Sequence, residues 1–174
     1  MTVHEARNVT EAELEAWGRK VGGGVARGRI ATPLVLALRG PLGVGKSVLA
    51  RAVARGAGVE APMPSPTYNL LFSYEGEDGL PVHHMDLYRL EHPDDVWELG
   101  WRELAEGRQL LMVEWPERAE SLLPGDRWDV YLDPVPGVER VRSLCVRPHG
   151  DAPSVPDIEC AAAGPAGDAA EPGT

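Results

Sequence analysis

The stretch "ALRGPLGVGKSVLARAVA", residues 37–54, decides how this chain folds. Within it Gly40, Gly45, Lys46 and Ser47 satisfy the spacing G-x-x-x-x-G-K-[ST]. Glycines at these places let backbone N–H groups turn inward and approach an anion, and a helix starting near Lys46 adds the positive end of its dipole. Upstream, "TPLVLALRG" is an unbroken apolar run, as expected of a strand buried on both faces of a parallel sheet. Downstream, "KSVLARAVARGAG" predicts a helix stopped by Gly56 and Gly58. Strand, glycine loop and helix together predict a phosphate cradle. In it Lys46 bridges β- and γ-phosphates, and the Ser47 hydroxyl binds Mg²⁺. Of the 17 basic residues only Lys20 and Lys46 are lysine, so a lysine after Gly45 is not a by-product of composition.

Length and charge narrow the setting. A chain of 174 residues, 43% hydrophobic, is most simply one domain with a real core. No apolar run reaches membrane-spanning length, and "MTVHEARNVTEAE" has no basic-then-apolar leader. Cys145 and Cys160 stand apart, so neither a disulfide framework nor a zinc site is expected, and the expected location is the cytoplasm. The net charge is −10, and residues 151–174 carry five acids with no Lys or Arg. Strong nucleic-acid binding by the chain alone is therefore not expected, because phosphate contacts need concentrated basic side chains.

Working outward from the loop, "TEAELEAWGRKVGGGVA" predicts a helix opened by a capping box of Thr10 and Glu13, with Gly22–Gly24 weakening its last turn. "TYNLLFSYE", "PVHHMDLY" and "QLLMVE" read as strands, and "HPDDVWELGWRELA" and "PERAESLLPG" as helices. "DRWDVYLDPV" and "VERVRSLCVRP" alternate as a closing hairpin around Pro134–Gly137. The expected fold is α/β: a three-layer sandwich with a mostly parallel central sheet and a C-terminal hairpin. The domain is expected over residues 1–148. Residues 149–174, rich in Ala, Pro, Gly and acid, are expected to be a disordered tail.

Phosphoryl transfer needs a carboxylate at the metal and a group that orients the attacking water or hydroxyl. Two strand-end acids qualify. Glu114 ends "LLMVE", where a buried strand delivers its last side chain to the carboxyl edge of the sheet beside the loop. Asp86 lies in "HHMDLYR", where alternation places His84, Asp86 and Tyr88 on one face; a structural hydrogen bond to a neighbouring turn suits it as well as a catalytic role. His83, His84 and His92 are read as structural, since the first two point to opposite faces of a strand and no cysteine lies nearby. In "SPTY", Pro66 stiffens the approach to Thr67, whose spacing fits either a hydroxyl that reaches a γ-phosphate or an ordinary turn.

The ordered set "GPLGVGKS", "SPTY", "HMDLYR" and "VEWPE" resembles the TsaE-type ATPases of bacterial tRNA threonylcarbamoyladenosine biosynthesis, over roughly residues 10–145. The resemblance implies a P-loop NTPase-type α/β domain that binds ATP and Mg²⁺ and hydrolyses ATP slowly. It implies partners too: TsaB and TsaD, whose assembly modifies the adenosine beside the anticodon and is reset by the ATPase. Nucleotide contacts are implied for Gly40, Leu42, Gly43, Val44, Gly45, Lys46, Ser47, Val48, Thr67 and Trp115. Ser47 and Glu114 are implied at the metal, and Asp86, Glu114 and Lys46 in catalysis. Two positions depart from the family pattern: Pro41 stands where an acid is usual, and Val48 where a second threonine is usual.

Rival readings remain at this level. A small-molecule or nucleoside kinase would use the same loop, but such enzymes normally carry an arginine-rich lid, and after Glu114 the chain offers Arg118 and Arg127 only singly. A GTPase switch would need N/T-K-x-D, in which neither lysine occurs. A regulatory module that binds ATP and hardly hydrolyses it overlaps with the accessory ATPase, and an acidic surface suits either one.

Overall fold

A computed structural model describes residues 3–64, 70–104 and 106–158. Among the described residues, seven strands form one sheet: β1 (His4–Thr10), β2 (Leu34–Arg39), β3 (Leu71–Glu75), β4 (Pro81–Asp86), β5 (Leu110–Glu114), β6 (Arg127–Pro134) and β7 (Val141–His149). Their order across the sheet is β1-β7-β6-β2-β5-β4-β3. The central four, β6-β2-β5-β4, are mutually parallel. The C-terminal hairpin β6–β7, the N-terminal β1 and the β3 edge all join antiparallel. In this register Leu38 of β2, Glu114 of β5 and Asp86 of β4 lie level at the carboxyl edge.

Alternation along the buried strands divides the core between the two faces of the sheet. Leu34, Leu36 and Leu38 face α1 (Glu11–Ala26) and α2 (Lys46–Gly56), whereas Val35, Leu111 and Val113 face a second cluster with Trp101 and Val96. The expected three-layer α/β sandwich is thus the fold observed. Its second outer layer is thinner than the first. "HPDDVWELGWRELA" does not form one helix. Pro93–Leu99 is a 3-10 helix, and Gly100 at φ +74° turns the chain before α3 (Trp101–Leu104). "PERAESL" is likewise 3-10, broken at Ala119.

The glycines of α1 act differently from their expected effect. The helix begins with the expected capping box and runs through Gly22–Gly24 to Ala26. A Cβ on Gly22 would overlap the Val53 carbonyl oxygen and stand 2.7 Å from the Ala57 nitrogen. One on Gly56 would overlap the Arg19 carbonyl oxygen. Absent side chains therefore let α1 and α2 approach backbone to backbone. The close fit outweighs the loss of helix propensity that glycine brings.

Two segments differ from expectation at the chain ends. His4–Thr10 forms an edge strand with a bulge between Ala6 and Val9, where Asn8 adopts φ +58°. Its polar sequence carried no strand periodicity. Beyond β7, the described residues up to Ile158 pack on the domain instead of beginning a tail at residue 149. Val155 is buried, Trp17 Nε1 donates to the Pro156 carbonyl at 3.2 Å, and Trp128 Nε1 donates to that of Pro153 at 2.8 Å. Two buried indoles each needed an acceptor, and this segment supplies both.

Candidate functional site

The loop between β2 and α2 requires its glycines. Gly40, Gly43 and Gly45 adopt φ of +135°, +78° and +118°, a region L-residues rarely occupy. A Cβ at Gly40 would overlap the Leu132 carbonyl oxygen. Gly45 precedes the first helical residue, and Leu49 N–H donates to its carbonyl at 2.9 Å. The first-turn N–H groups of any helix lack intrahelical acceptors, and α2 carries no acidic residue there to supply one. The open end of α2 is therefore built for an external anion.

Lys46, 4% exposed, donates from Nζ to the carbonyls of Gly40 at 2.7 Å and Pro41 at 2.9 Å. Its ammonium also lies 3.8 Å from the ring centroid of Trp115. Burial lowers the lysine pKa, and the negative charges of Glu114, Glu117 and Asp86 oppose that effect. Trp115 sits at φ +57°, just past β5, and its ring meets that of Tyr88 at 4.9 Å. This turn carries the indole over the lysine.

Glu114, 2% exposed, has both oxygens engaged. Ser47 Oγ donates to Oε2 at 2.9 Å, and His84 Nε2 donates to Oε1 at 2.7 Å. His84 is fully buried and its Nδ1 has no partner. A bare lone pair there costs less than an unsatisfied N–H, so Nε2 is the nitrogen that carries the proton shared with Glu114. Asp86, level with Glu114, accepts the Tyr88 N–H at Oδ1 at 2.9 Å. Its pKa is raised, chiefly by burial and further by the charge of Glu114. Strand β4 ends at Asp86, so Tyr88 belongs to the following turn and does not continue the strand face.

Lys46, Ser47, Asp86, Glu114 and Trp115 are thus brought together at the carboxyl edge of the parallel strands. Leu42 projects from the tip of the loop, 77% exposed. Val44 and Val48 turn their side chains into the core, leaving only their backbone to a ligand. Thr67 lies outside the described residues. Of the three histidines, His83 bonds Ser73 and Gln109, and His92 is exposed at the start of a 3-10 helix. His84 is the one that sequence reasoning set aside and the structure adds to the site. Its signal was present in the alternation that put it on the face of Asp86.

The donor set fits a magnesium nucleotide. Among the described residues no group of three or more His, Cys, Asp or Glu could hold a metal ion. One hydroxyl and one carboxylate suit Mg²⁺, which keeps waters and takes phosphate oxygens as its other ligands.

A family model described as "Threonylcarbamoyl adenosine biosynthesis protein TsaE" matches residues 9–141. The chain belongs to the TsaE family. That family acts in tRNA threonylcarbamoyladenosine biosynthesis. Curated TsaE proteins of that pathway align from several bacteria. The Treponema pallidum protein is 36% identical over 108 residues, 62% of this chain and 75% of its own. The Bacillus subtilis protein is 37% identical over 99 residues, 56% of this chain and 60% of its own. That of Rickettsia conorii is 33% identical over 111 residues, 63% of this chain and 62% of its own. The matches thus span less than two thirds of the Bacillus and Rickettsia proteins. The crystal structure of Bacillus subtilis YdiB superposes with a TM-score of 0.65 at 26% identity, covering 86% of this chain and 87% of that one. The TsaE match contains the phosphate loop, Asp86 and Glu114, and ends one residue before Arg142. Among the described residues, no helix is long and apolar enough to cross a membrane.

Proposed function

We propose that this TsaE protein is a cytoplasmic, Mg²⁺-dependent ATPase that resets a TsaB–TsaD transferase assembly between rounds of tRNA threonylcarbamoylation. One observation carries the reading: the hydrogen-bonded chain from Ser47 through Glu114 to His84, beside the open amides of the loop and Lys46. Ser47 and Glu114 would hold Mg²⁺, which would neutralise charge on the β- and γ-phosphate oxygens. The Lys46 ammonium would leave the Gly40 and Pro41 carbonyls for the stronger acceptor that a phosphate provides. Asp86, with its raised proton affinity, would take a proton from the attacking water. Trp115 and Tyr88 would shield that edge from solvent.

Two experiments test this. Wild type should bind ATP in a Mg²⁺-dependent manner and hydrolyse it slowly, and Lys46→Ala should abolish both. A pull-down with an ATP analogue should retain TsaB and TsaD. Failure of wild type to bind nucleotide removes the reading at its root, and retention of neither partner removes the assignment of role. The kinase alternative gains nothing from the structure, since after Glu114 the described chain forms a short 3-10 helix and then β6, not a helical lid. Phosphate transfer to a nucleoside at enzyme-like rates would nonetheless establish it.

A further inference from the structure

Behind the phosphate loop lies a basic side chain that the mechanism above does not use. Arg142 stands on β7 between Val9 of β1 and Pro134 of β6, on the face covered by α1. It is 9% exposed. Its Nε donates to the Val44 carbonyl at 3.1 Å, and its Nη1 is buried with no acceptor. No carboxylate of the described residues forms an ion pair with it. Buried arginines are ordinarily paired, because an isolated buried charge opposes folding.

The bond to Val44 has a geometric consequence. The Val44–Gly45 peptide is trans; among the described residues only Thr32–Pro33 is cis. In a trans peptide the C=O and the following N–H point in opposite directions. Holding the Val44 carbonyl towards the guanidinium therefore directs the Gly45 N–H to the opposite side of the loop. The guanidinium is also close: a Cβ built on Gly45 would lie 3.7 Å from Nε and 3.7 Å from Nη2.

We propose that Arg142 is a positioning residue of the phosphate site: it orients the Val44–Gly45 peptide so that the Gly45 amide meets the nucleotide phosphate, and the bound anion compensates its unpaired charge. This rests on the nucleotide reading given above. A residue kept only for packing would stabilise the free protein. Arg142 instead holds an uncompensated charge there, so its benefit appears when anion is bound.

The test measures two quantities on the full chain: displacement of a fluorescent mant-ADP probe by ADP, and thermal unfolding with and without ADP. For Arg142→Met, ADP affinity should fall roughly tenfold or more, the loss expected for a hydrogen bond involving a charged group. The melting temperature of the free protein should stay level or rise, and the increase on adding ADP should shrink. Arg142→Lys, which keeps the charge without the planar fork, should recover part of the affinity, and it serves in place of Met if that variant does not fold. Unchanged ADP affinity would overturn the proposal, as would an affinity loss matched by a lower melting temperature of the free protein. Lys46→Ala separates the two readings. Loss of ADP binding there, with Arg142→Met unaffected, leaves the nucleotide site standing and removes only the role of Arg142. A wild-type protein that binds no mant-ADP removes both.

Discussion

Replacing His84 by leucine probes how the site holds its metal carboxylate. The substitution keeps an apolar body of similar size in a fully buried position and deletes the Nε2–H that meets Glu114 at 2.7 Å. Glu114 then keeps one of its two donors, Ser47. A hydrogen bond to a charged group contributes about 1.5–3 kcal/mol. For a domain of this size that corresponds to a fall in Tm of about 3–12 °C. Functionally, Ser47 must exchange Glu114 for the metal, and without His84 nothing would keep the carboxylate in place during the exchange. Loss of such an orienting partner weakens metal binding by about 10–100-fold. The assay titrates Mg²⁺ against mant-ADP binding and ATP hydrolysis, with binding in EDTA as the control. Half-saturation by Mg²⁺ should move by that factor while metal-free ADP binding stays near wild type. His84→Gln, whose amide N–H can reach the same oxygen, should restore most of it. A folded His84→Leu protein whose Mg²⁺ half-saturation stays within about threefold of wild type would refute the orienting role.

Other consequences concern pH, packing and the C-terminal segment. Burial raises the Asp86 pKa, so hydrolysis that uses its carboxylate should climb with pH through a value above the ordinary carboxylate range. Asp86→Asn should be slow and flat over that range while still binding ATP, and a pH–kcat profile shared with wild type would exclude Asp86 as the base. The same shift affects stability: between the ordinary and the raised pKa the native state binds more protons, so ionising Asp86 lowers stability as pH rises, and Asp86→Asn should remove that slope in Tm against pH. Gly22→Ala places a methyl group against the Val53 carbonyl and should destabilise by about 1–3 kcal/mol despite a gain of about 1 kcal/mol in helix propensity. A urea midpoint equal to that of wild type would show that the α1–α2 contact does not need glycine. A chain ending at Gly150 strips Trp17 and Trp128 of their carbonyl acceptors at about 0.5–1.5 kcal/mol each, and should unfold at lower urea than one ending at Ile158. Coincident curves would mean that this segment does not support the core.

Much of the site is legible in the sequence, because the information is local. The glycine loop requires left-handed backbone at fixed positions. The flanking strand and helix signal themselves by hydrophobic pattern, and Glu114 and Asp86 are carried to one edge because buried strands end there. Where local signals compete, reading along the chain was less successful. Pro93 and the acids after it favour a helix, yet Gly100 breaks it after one 3-10 segment. The polar N-terminus shows no strand pattern, and it is paired only because β7 offers an edge.

By itself the sequence determined the strand–loop–helix unit, the parallel centre of the sheet and the chemistry of the residues at its rim. Each of these follows from backbone sterics and side-chain burial within a few residues. Tertiary structure alone decided that Gly22 and Gly56 are a helix–helix contact, that residues 151–158 complete the core, and that His84 and Arg142 meet Glu114 and the loop. Those pairings join positions 30 and 98 residues apart. No local periodicity encodes which buried polar group will find which partner, because that is settled by the register of strands distant in sequence. The need to satisfy every buried donor and acceptor then selects among the pairings the fold allows.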